Sequence, residues 1–399
     1  MSSPSRSLSS SPNTHTDLDS LCSALLFAYF RTHTPPHTLH IPLSNLPRAD
    51  LALRPELNAV LDPAGLKPDD LITLSDLPRE GLQPQDTRWL LVDHNVLTGD
   101  LAAPFSPHII GCIDHHDDEG RIPHSLPPDQ PRIFAKCGSC MSLILDHCQP
   151  VWDTLASSDC EDGTPSATVD AQLAHIALAP ILIDTTNLTS KDKTTDWDLR
   201  AAHLAESKLT PPSTFTTTTS TNSSPSSQSA PYSREKYYTS LTHLKEQISS
   251  LSYRDLLRKD YKRWTEGPLS VGVSTIVREL AYTFSEVGAK SKDEFLDALR
   301  GWAGEQKLDI AAVMTVSSPN GVFQRELLVW GVSEGGVKAV REFERRFGGV
   351  LGLESWEGGK LDEEKEGGRR VCWRQGGVQH SRKQVGPMLR EAMREGAKL

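Results

Sequence analysis

The feature that most constrains this chain is a short apolar run, Ile109-Ile110-Gly111-Cys112-Ile113. It passes directly into Asp114-His115-His116 and the acidic stretch Asp117-Asp118-Glu119. A buried strand ending in carboxylates and imidazoles points to an open α/β sheet, where ligand sites gather at the carboxyl ends of strands. Mixed oxygen and imidazole donors suit Mg²⁺, Mn²⁺, Co²⁺ or Zn²⁺. Taken alone, the run reads equally well as an acidic surface turn with two histidines, so the rest of the sequence has to decide.

The same transition recurs along the first half. Trp89-Leu90-Leu91-Val92 reads as a buried strand and leads into Asp93-His94-Asn95. Ala171 to Ile183 carries Leu173, Ile176 and Ala177 at helical spacing and ends at Asp184-Thr185-Thr186-Asn187. Pro180 is expected to kink or end that helix. Ser20 to Arg31 reads as an amphipathic helix opened by Asp17-Leu18-Asp19-Ser20, where helix capping explains the acidic residues as well. Alternating strands and helices predict an α/β class, with a mostly parallel sheet and helices on both faces.

With 399 residues the chain is long enough for two or three domains. Net charge −10 argues against nucleic acid as the main partner, because phosphate-backbone affinity needs a basic surface. No apolar run is read as a membrane span of about 18 residues. Met1 to Pro12 is Ser-rich without a hydrophobic signal core, so secretion is not expected, and the cytoplasm is taken as the default location. Seven cysteines without framework spacing fit a reducing compartment. Cys137-Gly138-Ser139-Cys140 with Cys148 resembles half a zinc site, but no second pair follows. Buried or helix-start thiols are the plainer reading.

Pro211 to Pro231 is rich in Ser, Thr and Pro and has almost nothing to bury; it is expected to be disordered. A helical region is expected over Tyr238 to Trp264. Beyond it lies a smaller α+β domain. There Ile310 to Val316 and Glu326 to Val332 read as strands joined through Pro319-Asn320-Gly321. Glu342 to Arg346 reads as helix, Gly358 to Gly368 as a charged loop, and Val371-Cys372-Trp373 as a last strand.

Four separated clusters, Asn13-x-x-x-Asp17-x-Asp19-Ser20, Asp93-His94-Asn95, Asp114-His115-His116 and Asp184-Thr185-Thr186-Asn187, are hard to explain as chance turns. In this order they resemble the DHH phosphoesterase superfamily, and within it the fungal cytosolic exopolyphosphatases. Prune-type proteins and family II inorganic pyrophosphatases are relatives. The pyrophosphatases begin the first motif with His, whereas Asn13 stands here as in the exopolyphosphatases. Further on, Arg258-Lys259-Asp260-Tyr261-Lys262-Arg263-Trp264, Ser270 to Val277 and His380-Ser381-Arg382-Lys383 resemble the DHH-associated C-terminal domain.

The resemblance implies a DHH domain over 13–208, a Ser/Thr/Pro-rich insertion over 209–236 and a helical connection over 237–265. The C-terminal substrate-binding domain would cover 266–399, with the active site in the cleft between the two domains. It implies two divalent cations, Mg²⁺ or Mn²⁺ with Co²⁺ also compatible, held by Asn13, Asp17, Asp19, Asp93, His115 and Asp184, with Asp93 as the bridge. His116 would face the substrate as phosphate binder or general acid. Asp114, grouped with the catalytic residues, would orient the histidines. Lys262, Arg382 and Lys383 would hold a phosphate chain. The implied reaction is hydrolysis of the terminal phosphate of inorganic polyphosphate. Alternatives are a pyrophosphatase, a short-chain phosphodiesterase of the same fold, or a catalytically impaired phosphate-binding regulator. One departure stands out. The apolar strand that precedes the first motif in the family is missing from Arg6-Ser7-Leu8-Ser9-Ser10-Ser11-Pro12.

Overall fold

The structure, a computed structural model, describes residues 17–78, 82–156, 166–209, 232–365 and 367–396. Asn13, the segment 6–12 and most of the Ser/Thr/Pro-rich insertion lie outside them. The chain divides into two compact units, one within 16–244 and the other within 245–399.

The first unit opens with α1 (Leu18–His33), β1 (Leu43–Ser44), α2 (Leu57–Leu61), β2 (Ile72–Thr73) and β3 (Trp89–Val92). It continues with α3 (Ala102–Phe105), β4 (Ile109–Asp114), β5 (Arg132–Phe134), α4 (Cys140–Ala156), α5 (Ser166–Asp184), α6 (Asp196–Leu209) and α7 (Arg234–Lys245). Strands β3, β4 and β5 form a parallel sheet, in that order. A separate parallel pair joins β1 to β2. Successive strand residues face opposite sides. Ile113 therefore enters the core built by α1, α4, α5 and α6, while Cys112 faces the other way and packs with Leu91, Leu97, Leu101 and Phe105; Ile109, before the register shift in the β3–β4 pairing, joins that second cluster. Both faces of the sheet are covered, as the α/β pattern predicted.

Two expectations about α5 fail. The helix runs through Pro180 without ending there. The lost i→i−4 bond costs about 3 kcal/mol. It is outweighed because α5 is apolar on every side and packs against α1, α4 and α6. For the same reason Ala167–Asp184 is, by length and composition, apolar enough to cross a membrane, although no such run was expected. In this unit 56% of that stretch is buried, so core burial explains the composition.

The second unit holds α8 (Tyr253–Lys259), β6 (Tyr261–Glu266), β7 (Leu269–Ile276), α9 (Leu280–Glu286), α10 (Lys292–Glu305), β8 (Ile310–Thr315) and β9 (Glu326–Gly331). It is completed by α11 (Glu334–Leu351), β10 (Leu353–Ser355), β11 (Glu363–Lys365), β12 (Gly368–Gln375) and α12 (Arg382–Gly396). Its seven-stranded sheet runs β10-β12-β9-β8-β7-β6, with β11 on β12. Only β7 and β8 pair in parallel. The buried apolar runs of β8 and β9 are those of strands covered on both faces. The expected hairpin through Asn320 and Gly321 joins β8 to β9, and both residues take positive φ.

The helical reading of Tyr238 to Trp264 is too long. From Tyr261 the chain is β6, paired antiparallel with β7. Tyr261, Trp264 and Thr265 favour a pleated strand, and Gly267 at φ 58° allows the tight return into β7. The expected loop Gly358–Gly368 likewise contains β11, which lies against the start of β12.

Phe30 of α1 is fully buried, its ring 5.5 Å from that of Trp152 on α4. Phe30→Ala is expected to destabilise the first unit by about 3–5 kcal/mol. Denaturant unfolding followed by Trp152 fluorescence checks this.

Candidate active site

The parallel register sets the site. Because β3 and β4 run side by side in the same direction, Asp93 and the pair His115-His116 emerge at the same edge of the sheet. Asp93 follows β3 with φ 60°, a left-handed backbone that is costly for a residue with a side chain. Its amide is pinned to the Ile113 carbonyl at 3.0 Å. Backbone strain of this kind gathers at functional sites.

Asp93, His115 and His116 each offer a ligand atom, all within 4.8 Å of one another. Asp93 is buried. Its Oδ2 accepts a short hydrogen bond from Ser20 Oγ. Its Oδ1 lies 3.3 Å from His115 Nε2 and 3.9 Å from His116 Nδ1, without hydrogen-bond geometry to either. A buried carboxylate oxygen with no well-aligned donor, next to two imidazoles that can each give up a proton, is the arrangement a divalent cation satisfies.

Each histidine is oriented from behind. His115 Nδ1 donates to the Cys137 carbonyl at 3.0 Å, which directs Nε2 towards Asp93. His116 Nδ1 lies 2.8 Å from Asp114 Oδ1, and the His116 amide donates to the same oxygen at 3.0 Å. Asp114 is fully buried, and its other oxygen accepts from Asn95 Nδ2 at 2.6 Å. Asp114 thus fixes His116 and leaves Nε2, on the far side of the ring, turned away from it. Partners of this type set the tautomer and direction of ligating histidines.

Asp17 and Asp19 both sit at the start of α1. Asp17 caps the helix, with Oδ1 accepting from the Ser20 amide at 3.1 Å. Asp19 is buried, and its oxygens accept from Ser139 Oγ at 2.8 Å and from the Cys140 and Met141 amides at 2.7 and 3.1 Å. Asp184 ends α5. Burial pushes the Asp19 carboxyl up, reinforced by the nearby charges of Asp93, Asp184 and Asp17. Asp17, Asp19, Asp93 and Asp184 are therefore close enough to act on one another electrostatically, with His115 as a nearby positive group; Asn13 lies outside the described residues.

In the second unit Lys262 lies on β6 opposite Val273. Arg382 and Lys383 begin α12, with Lys383 exposed. The Arg382 guanidinium is engaged by Asp260, at 2.7 Å to its carboxylate and 3.0 Å to its carbonyl. As for the thiols, Cys140 and Cys148 are buried in α4 and Cys137 is half-buried; all three are free.

Ser20, Ser139 and Asp198 were not named as site residues from the sequence, yet Ser20 bonds Asp93, Ser139 bonds Asp19, and Asp198 bonds the Gly138 and Ser139 amides. Thr195-x-x-Asp198, a helix-start signature, is the one signal that marks Asp198.

The DHHA2 domain model matches residues 239–392. A Schizosaccharomyces pombe protein named "Putative exopolyphosphatase" is 31% identical over 387 residues, 97% of this chain and 91% of that protein. The chain belongs to this exopolyphosphatase family of DHH phosphoesterases. "Exopolyphosphatase PRUNE1" of Mus musculus is 25% identical over 292 residues, which cover 71% of this chain and 56% of that protein. The crystal structure titled "Methanococcus jannaschii putative family II inorganic pyrophosphatase" superposes with a TM-score of 0.57 at 20% identity, covering 94% of this chain and 96% of that one. That likeness establishes the shared fold.

Burial alone would lower the His115 pKa, but the Asp93 carboxylate and the Cys137 carbonyl outweigh it and push it up to about 12. A cation taking Nε2 must therefore displace a proton at neutral pH. Apparent Mn²⁺ affinity is expected to rise with pH, by up to about tenfold per unit for each proton displaced. Calorimetry in buffers of different ionisation enthalpy reads the released protons; a binding heat independent of buffer contradicts the assignment.

Proposed function

We propose that the chain is a metal-dependent exopolyphosphatase that releases orthophosphate from the end of inorganic polyphosphate, using Mg²⁺ or Mn²⁺. The observation that carries this reading is the buried Asp93 with its unsatisfied oxygen beside His115 and His116. The likeness to the fission yeast protein over nearly its whole length supports it.

Asp93 and His115, with Asp17, Asp19 and Asp184, would hold two divalent cations. Cations so held supply charge neutralisation and lower the pKa of bound water towards neutrality. Ser20 keeps one Asp93 oxygen hydrogen-bonded and leaves the other for a cation. His116, turned by Asp114, offers Nε2 to a phosphoryl oxygen or to the departing phosphate as proton donor. The second unit carries basic groups of its own that suit phosphate. Lys262 and Lys383 act as point charges, and Arg382 offers a planar fork held in place by Asp260. The cytoplasm is the compartment this reading assigns.

Two measurements test it. Incubation with long-chain polyphosphate and Mg²⁺ is expected to release orthophosphate while long chains persist. A steep preference for pyrophosphate across a substrate series contradicts the reading. Asp93→Asn should reduce release to the level of a metal-free control, since it removes the charge on the central ligand. Activity at the parent rate contradicts Asp93 as that ligand.

A further inference from the structure

Asp198 is fully buried at the start of α6, and five neutral donors converge on it. Oδ1 accepts from the Gly138 amide at 3.1 Å, the Ser139 amide at 3.2 Å and Ser142 Oγ at 2.7 Å. Oδ2 accepts from the Gly138 amide at 2.9 Å and from the Thr195 amide and hydroxyl, each at 2.8 Å. A capping carboxylate at the head of α6 needs only the last two. The other three donors make four bonds and come from elsewhere: Gly138 and Ser139 in the turn before α4, and Ser142 in the first turn of α4.

That turn is the part of the unit on which the site side chains lean. The Cys137 carbonyl orients His115. Ser139 Oγ and the Cys140 and Met141 amides hold Asp19. The turn also has no room to shift. A Cβ on Gly138 would lie 2.5 Å from Thr185 Cγ2, 3.1 Å from the Lys193 carbonyl and 3.2 Å from Asp198 Oδ1. Thr185 follows Asp184, and its carbonyl faces Thr194 Oγ at 3.4 Å. Three separate elements that carry acidic or imidazole groups, the ends of β4 and α5 and the start of α1, thus refer their positions to one turn. Asp198 closes that turn.

We infer that Asp198 is a positioning residue for the cation site. By closing the Cys137–Ser142 turn it sets the direction of His115 Nε2 and the place of Asp19, without touching the cation itself. The inference rests on the proposed function only in naming the group those side chains hold.

Asp198→Asn in the full chain is the test. Both oxygens face donors, so either orientation of the amide sets an N–H₂ group against an N–H or O–H. Mn²⁺ affinity by calorimetry is expected to fall by about 10- to 100-fold. Polyphosphate hydrolysis should fall at limiting Mn²⁺ and recover at saturating Mn²⁺, with KM for polyphosphate unchanged. Because a cation that binds the native state also stabilises it, folding of each variant is checked without metal by circular dichroism, and only variants folded under that condition are compared. Ser142→Ala removes one of the five donors and is expected to show a smaller loss of Mn²⁺ affinity in the same direction; it carries the test if the first variant unfolds. Parent-like Mn²⁺ affinity in the folded variants overturns the inference. So does a loss of turnover that saturating Mn²⁺ leaves in place. A parent chain that binds Mn²⁺ but does not hydrolyse polyphosphate overturns the proposed activity and leaves the comparison of affinities standing.

Discussion

A carboxylate buried without a counter-ion has to be surrounded by donors, and the first unit depends on how it meets that requirement twice. The first amides of any helix have no partner within it. At α4 the Cys140 and Met141 amides turn to Asp19, while the Gly138 and Ser139 amides just ahead turn to Asp198. The partial positive charge of the helix N-terminus favours the arrangement from both sides. It also couples three elements. Asp19 belongs to α1 and Asp198 to α6, so neither helix moves relative to α4 without exposing a buried polar group, at a cost of about 1–3 kcal/mol for each unsatisfied one. Their apolar faces supply most of the driving force for packing. The two carboxylates fix the register.

The same local chemistry leaves a charge imbalance where Asp93 stands. Four carboxylates lie close enough to influence one another, and two of them, Asp19 and Asp93, are buried. Burial opposes ionisation of Asp93, yet the surrounding His115, His94 and His116 hold its carboxyl down at about 2. Asp19, bound by amides and hydroxyls, is driven the opposite way by its burial first and by neighbouring like charges second. Opposed shifts of this kind in neighbouring carboxylates cluster at functional sites. The positive φ of Asp93 points the same way, because a fold pays for such strain only where position matters more than comfort.

What the sequence made legible follows from how local each signal is. The strands Trp89–Val92 and Ile109–Asp114 are contiguous apolar runs, and the acids behind them fall at strand ends by chain continuity alone. Their approach in space needed one further rule, parallel pairing, which the alternation of elements supplied. Helix α5 misled twice, at Pro180 and in its membrane-like apolarity, because both depend on a core that only the tertiary structure provides. Strand β6 was hidden by leucines spaced for a helix just before it; the switch at Tyr261 is visible only once β7 pairs with it. Ser20 and Asp198 carry ordinary helix-start signatures. Nothing local distinguishes a capping residue that serves only its own helix from one that also reaches Asp93, 73 positions away, or Ser142, 56 positions away.

The overall charge of −10 says little about the polyanion chemistry this fold supports. Charge matters here by location. Acidic groups gather where strand ends and helix starts converge in the first unit, a region that cations would invert in sign. Basic groups stand on β6 and at the head of α12 in the second. Arg382 shows how such a group is held ready. Asp260 takes part of its fork and fixes the guanidinium plane without removing all of its donors. An arginine restrained by its own carboxylate loses less side-chain freedom on meeting a phosphate than one free in solvent. That pre-organisation parallels the first unit, where Asp114 restrains His116 and the Cys137 carbonyl restrains His115. In each unit, then, a side chain with donors or ligand atoms to offer is held by a second polar group: His115 by the Cys137 carbonyl, His116 by Asp114 and Arg382 by Asp260.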